Sequence, residues 1–402
     1  MTDGVSEELG SGPAVDEEDP EESSVAEVSD VDDPDADVVD TDPTRAEEAL
    51  RYFGADFDVD GLVRRLANGN FIIPTFEPLA EAETEGYEGF QRGLVWKKKQ
   101  MDRFVESVLL GYPVPGIFLV ELPSRRYLVL DGQQRLTTLH SFRHGTYPVK
   151  GGVRKFSLRY VGNAYKTLTY ADLPSELRLL FDNTFIQATI VVPQGEAGKK
   201  AVYALFERIN SGGTNLRPQQ IRVALFAGEA VNFVRELNSN PDWRDLFGTH
   251  TRDLKDHELI LRAISLLETV RGPKTFRPPM ARFLNDYLST HSDTPPPDAS
   301  EIRTEFTTAC RLLNEVNPGS LKLGGRQVNA AHTDAVLVGL MVAIGEGVAL
   351  DSTAVQNALD SLTHTEKYRK AVSESTSHAD QVRARIRYSV AAFEGNPIAD
   401  ES

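Results

Sequence analysis

The chain has a single cysteine, Cys310, among 402 residues. One thiol excludes an intrachain disulfide and any cysteine-based metal pair, and its place in an amphipathic helical pattern marks it as a small core residue rather than a nucleophile. No G-x-S-x-G elbow and no HExxH zinc motif occur. The Gly-Gly in "NSGGTNL" lacks the following Gly-Lys-Ser/Thr of a P-loop, which excludes Walker-type phosphate binding there. Long apolar runs are missing too: "AVLVGLMVAIGEGVAL" is broken by Glu346 after about a dozen residues, too short to span a bilayer. The N-terminus shows no basic segment followed by an apolar run, so no secretory signal is expected and the expected location is cytoplasmic.

Basic residues are nearly absent from the first 50 positions, where Arg45 faces 19 acidic residues. Of the chain's net charge of −17, −18 lies in this stretch, leaving +1 for the rest. Residues 1–45 also lack aromatics, so they cannot bury enough apolar surface to fold and read as a disordered acidic tail. Its ordinary role is solubility; the functional alternative is to mimic nucleic-acid charge or dock on a basic partner.

What is present falls into two regions. In residues 46–195 the runs 70–76, 116–122, 126–131 and 185–193 read as strands. Met101, Phe104, Val105, Val108 and Leu109 follow helical spacing, stopped by Gly111 and Pro113, and 175–183 reads as a short helix. Beyond Gly195 strand signals largely vanish. Helical patterns fall at 199–210, 218–228, 229–239, 253–270, 298–316, 329–345, 352–362 and 378–394. The expected fold class is α+β: an N-terminal α/β domain over 46–195, followed by an all-helical domain over 196–396.

Three polar clusters interrupt these patterns: "FQRGLVW" with Gln91 and Arg92, "LDGQQRLTTL" from Asp131 to Thr138, and "FERINSGGTNLRPQQIR" with Glu207, Arg208 and Asn210. A strand running into Asp131-Gly132 and then a helix start is where α/β proteins hold phosphates, because the first helical N–H groups have no partner of their own. Gly132, that helix start and Arg135 can supply the N–H donors and the guanidinium fork a phosphate needs. Thr137 and Thr138 offer hydroxyls, and Glu207 and Asn210 offer hard oxygens for Mg²⁺. Asp131 can orient a water, bind a ribose or hold Arg135. The plainer reading stays open: Asp-Gly is a common turn, Arg135 can simply pair with Asp131, and Glu207-Arg208 can be an exposed helical face. His140 and His144 stand four apart with no carboxylate at matching spacing, and read as solvated or capping residues. "AHTD" at 331–334 reads as a helix start. The basic cluster "WKKKQ" at 96–100 suits a phosphate backbone or a solvated helix start.

The blocks "FQRGLVWKKKQMDRFVESVLLGYPVPGIFLVE", "YLVLDGQQRLTTL" and "FERINSGGTNLRPQQIR", in this order, resemble the domain family at the N-terminus of GmrSD-type modification-dependent restriction enzymes, within the ParB/sulfiredoxin-like group. The resemblance implies that 46–195 is a ParB/sulfiredoxin-like nucleotide-binding domain whose site is completed by the first helix of 196–396. It implies NTP binding, with hydrolysis, in a restriction or phage-defence system. By the same resemblance Asp131, Gln133 and Arg135 act in catalysis. Gln91, Arg92, Gly132, Gln134, Arg135, Thr137, Thr138 and Arg208 hold the nucleotide, and Glu207 and Asn210 hold Mg²⁺. The chain departs from the ParB pattern in two places: paired arginines become Gln134-Arg135, and an adjacent Glu-Asn pair is split. No His-Asn-His nuclease motif is found, so any cutting is expected of a separate nuclease or defence effector. The expected partners are therefore an NTP, that effector and DNA, with no membrane; self-association is left open. The alternative is a DNA-binding or protein-interaction module on a degenerate nucleotide fold. An intrinsic nuclease built on Asp131 and Glu207 would need more carboxylates.

Overall fold

A computed structural model describes residues 28–29, 49–73, 96–122, 125–149, 152–209, 217–251, 253–324 and 327–397. The first element, β1 (Val28–Ser29), pairs in parallel with Val328–Asn329, far along the chain. β2 (Leu50–Asp58) passes directly into α1 (Val59–Ala67), because the Asp58 side chain ends the strand and accepts the Gly61 N–H as the helix cap. β3 (Phe71–Ile72), α2 (Lys98–Leu109), β4 (Ile117–Leu122) and β5 (Arg126–Asp131) follow. Then come α3 (Gln133–His144), the hairpin β6 (Thr146–Val149) and β7 (Gly152–Lys155), α4 (Ser175–Asp182) and β8 (Phe185–Pro193).

Five of these strands form one mixed sheet in the order β2-β8-β4-β5-β3, antiparallel at β2/β8 and β4/β5, parallel at β8/β4 and β5/β3. Alternate residues of a strand point to opposite faces, and here both faces are filled. Ile117, Leu119, Val129, Ile186, Ala188 and Ile190 pack with α1 to α4, through Leu62, Val105, Leu139 and Phe181 among others. Val120, Leu128, Leu130 and Val191 point the other way, into the helical region.

That region begins with α5 (Gly195–Ile209), whose Val202, Tyr203 and Phe206 cover the second face. It continues with α6 (Pro218–Leu225), α7 (Glu229–Asn238), α8 (Pro241–Phe247), α9 (Lys255–Arg271), α10 (Met280–Thr290) and α11 (Ala299–Val316). β9 (Val328–Asn329), α12 (Ala330–Gly345), α13 (Ser352–His364), α14 (Glu366–Ser373) and α15 (Ala379–Phe393) complete it. The fold is mixed α+β, with a small mixed sheet in the N-terminal part and an all-helical C-terminal part. None of the described helices is long and apolar enough to cross a membrane.

Several local expectations change. The strand expected over 70–76 is present at Phe71–Ile72, and its end lies outside the described residues. The longest edge strand, β2, shows no apolar alternation and was not expected; nor were α1, the β6–β7 hairpin, α8, α10 and α14. Cys310 is fully buried, as its helical pattern implies, and burial pushes its thiol pKa up. "AHTD" is a helix start: Asn329 caps α12 by accepting the His332 N–H at 2.8 Å. The expectation of solvated histidines fails for His140, which is buried and stacks on His144 at 4.0 Å between ring centroids.

α12 is buried almost along its whole length and carries Asp334 in its second turn. Asp334 accepts Arg262 Nη2 at 2.7 Å and Arg385 Nη2 at 2.9 Å, all three side chains being buried. Asp334→Ala leaves two buried guanidinium groups without their carboxylate and is expected to cost about 3–5 kcal/mol, read as a lowered urea midpoint.

Burial also holds two histidines neutral: His140, helped by neighbouring His144, falls from 6.5 to about 4, and His332 likewise falls to about 4. As pH drops from 6.5 towards 4 the unfolded chain takes up protons that the folded chain refuses. The stability these groups give is therefore complete above pH 6.5 and shrinks through that window, by up to about 3 kcal/mol per histidine. Unfolding free energies measured from pH 7 to 4 check this, and His140→Gln should flatten part of the slope.

Candidate functional site

The sheet's buried centre delivers β5 to a polar turn. Leu128, Val129 and Leu130 are buried, Asp131 is half exposed, and Gly132 adopts φ +96° as the N-cap of α3. A Cβ at Gly132 would lie 2.4 Å from Ile117 Cγ2, so both the backbone angle and the contact with β4 demand glycine here. One helical turn on, Arg135 folds back across the turn. Its Nη2 donates to Asp131 Oδ2 at 2.7 Å and to the Gly116 carbonyl at 2.9 Å, while its Nε is buried with no partner. The guanidinium thereby links the start of β4, the end of β5 and the first turn of α3.

The rest of the motif divides between surface and core. Gln133 Nε2 reaches the Val129 carbonyl at 3.3 Å. Gln134 is buried, and its Oε1 accepts the Trp96 N–H at 3.0 Å, tying the segment ahead of α2 to α3. Thr138 is buried and donates its hydroxyl to the Gln134 carbonyl at 2.7 Å; Thr137 is buried as well. Both side chains are therefore buried, whereas Asp131 is half exposed.

The basic cluster divides as well: Lys97 and Lys99 are exposed at the start of α2, as a solvated helix start implies, whereas Lys98 is not. Lys98 is largely buried: it pairs with Asp102, donates to the Ser157 carbonyl at 2.8 Å and lies 4.1 Å over the Phe156 ring. Burial lowers its pKa, with Asp102 acting against the shift. Asp102 in turn accepts the Arg159 and Tyr160 N–H groups at 2.9 and 3.0 Å, so this ion pair organises a loop rather than a phosphate-facing surface.

The structure thus brings Asp131, Gly132, Gln133 and Arg135 together at one turn. Arg208 is exposed near the end of α5. Gln91, Arg92, Asn210 and the Glu207 side chain lie outside the described residues. Among the described residues no group of three metal-ligating side chains is assembled. Gly116 and Trp96 are the participants that sequence reasoning missed. The glycine in "PVPGIF" was a visible signal for the first, whereas a backbone N–H at Trp96 leaves none.

Compared with known families, residues 68–227 match the model described as GmrSD restriction endonuclease, N-terminal domain. The resemblance carried by the three sequence blocks is borne out over that span. No curated protein matches the chain.

The geometry at Gly132 separates two costs. Gly132→Ala meets both positive φ and Ile117 and should lose roughly 2–4 kcal/mol. Gly145, which ends α3 at φ +76° with nothing within 4 Å of its added Cβ, should lose about 1 kcal/mol on the same change. Equal losses by chemical denaturation would mean that the close approach to Ile117 is not a constraint.

Proposed function

We propose, proceeding from the family match over residues 68–227, that the chain serves a restriction or phage-defence system as an NTP-binding and hydrolysing module acting with a separate effector. The observation that carries this reading is the Arg135 guanidinium, fixed at the first turn of α3 behind a left-handed Gly132. A pre-positioned guanidinium beside a helix N-terminus suits a polyphosphate, because little ordering is left to be done on binding. The buried Nε without a partner fits the same ligand.

In this reading Gly132 lets backbone and phosphate approach, Arg135 offsets phosphate charge, and the half-exposed Asp131 with Gln133 positions the attacking water or the ribose. Gln134 acts by holding the Trp96 segment, which follows Gln91 and Arg92 in the chain, and Thr138 by bracing the first turn of α3. Glu207 and Asn210 are the proposed Mg²⁺ ligands and Arg208 an added phosphate contact. A bound Mg²⁺ would screen phosphate charge.

Two measurements test this. Thermal shifts with each of the four NTPs and Mg²⁺ should show stabilisation of about 2.7 kcal/mol at a hundredfold excess over Kd. Arg135→Ala should remain folded, since the partly exposed ion pair with Asp131 and the bond to the Gly116 carbonyl together are worth about 1–2 kcal/mol, yet lose that stabilisation. A folded variant with unchanged nucleotide response sinks the assignment. Phosphate release over a Mg²⁺ titration, with and without DNA, should be present in wild type and impaired in Glu207→Gln. If wild type releases none, the hydrolysis part of the proposal falls and the chain is a binding module.

A further inference from the structure

The helical part holds a cleft of its own. It lies between the loop 317–324, the start of α12, and helices α13 and α14, and its volume of about 440 Å³ is in the range of sites for small organic ligands. Its walls are held by bonds they make among themselves. Asn317 Oδ1 accepts the Gly319 N–H at 2.8 Å, the Ser320 N–H donates to the Asn317 carbonyl at 2.9 Å, and the Lys322 N–H donates to the Gly319 carbonyl at 2.9 Å. On the α12 side His332 is buried and engages both ring nitrogens: Nε2 donates to the Ser320 carbonyl at 3.0 Å, and Nδ1 accepts the Tyr368 hydroxyl at 2.8 Å. Burial holds its pKa at about 4, so it brings no charge to the cleft at neutral pH.

The groups left over are donors. Lys322 and Arg369 are exposed on the lining, and neither side chain is paired among the described residues. Asn317, whose oxygen is engaged by Gly319, has Nδ2 left to donate. Asp360, the one carboxylate among the described lining residues, already accepts Gln356 Nε2 at 2.8 Å. Leu323 and Leu359 add an apolar patch.

We propose that this cleft binds a small phosphomonoester, with Lys322, Arg369 and Asn317 on the phosphate and Leu323 and Leu359 against the organic body. Two cations and an amide suit the three terminal oxygens of a monoester, whereas a carboxylate offers fewer acceptors and less charge. The volume leaves room for a sugar or nucleoside beyond the phosphate. Walls closed by their own bonds leave little ordering to be done on binding. The site shares no residue with the Asp131 turn and does not depend on the reading of that turn.

Calorimetric titration of the full chain with glucose 6-phosphate, adenosine monophosphate and inorganic phosphate tests the proposal. At least one ester should bind, and inorganic phosphate, which lacks the organic body, should bind about fivefold more weakly or worse. Lys322→Ala with Arg369→Ala should weaken that ester by about tenfold or more while the melting temperature holds, both residues being exposed. Thr363→Trp keeps both cations but fills the cleft, and should block the ester. Arg135→Ala should leave the titration unaltered; an ester lost in that variant belongs to the Asp131 turn and counts against the cleft. No binding of either ester at roughly 10 mM overturns the proposal. So does binding that the Lys322/Arg369 variant leaves intact, or equal affinity for inorganic phosphate, the mark of a surface ion site.

Discussion

Burial of β4 and β5 on both faces is the constraint from which the polar turn follows. With helices against each side of the sheet, backbone and charge can reach water only where a strand stops. β5 stops at Asp131, and Ile117 of the neighbouring strand leaves no room for a Cβ at the next position. The first carbonyl before β4 would be a strand-end acceptor in need of a donor, and Arg135 provides it. A single guanidinium therefore closes the ends of two central strands and the start of a helix. A phosphate site at this turn would be assembled from parts that the fold already requires.

The helical region solves a different problem. α12 is apolar nearly all round, so no amphipathic stripe tells it how to rotate about its own axis. Polar groups do so instead: Asp334 faces Arg262 and Arg385, while His332 faces Tyr368 and Ser320. Arg222, bonded to Asn285 and Tyr203, fixes α6 against α10 and α5 in the same manner. Such buried charges add little net stability over apolar packing, but their geometry admits few alternatives.

Legibility followed the range of the interactions. The strand, turn and helix at 126–144 were readable because their signals are local: three branched apolar residues, Asp-Gly, then leucines at helical spacing. Both roles available to Arg135 were also readable, and its pairing with Asp131 is present. Lys98 was misread because its partners, Asp102 apart, lie some sixty residues away in sequence, and nothing in "WKKKQ" announces a buried ammonium. Thr137 and Thr138 offer hydroxyls by composition, but they are the fifth and sixth residues of α3, in its second turn, where both side chains are buried. β2 was missed because edge strands need not alternate: Tyr52 and Phe53 are adjacent and both exposed.

That last strand bears on how molecules of this protein meet. β2 is nine residues long and closes one side of the sheet, with Tyr52 exposed by 77 % and Phe53 by 46 %. An aromatic strand margin of this kind invites pairing between copies. The chain beyond residue 50 carries a net charge of +1, too little for mutual repulsion, whereas the preceding stretch carries −18. In sequence, the acidic stretch is what leads into that margin, so the chain's excess of negative charge is concentrated in the residues that precede β2. The net charge of the whole chain, and with it the repulsion between copies that charge can supply, is thus set by its first 50 residues.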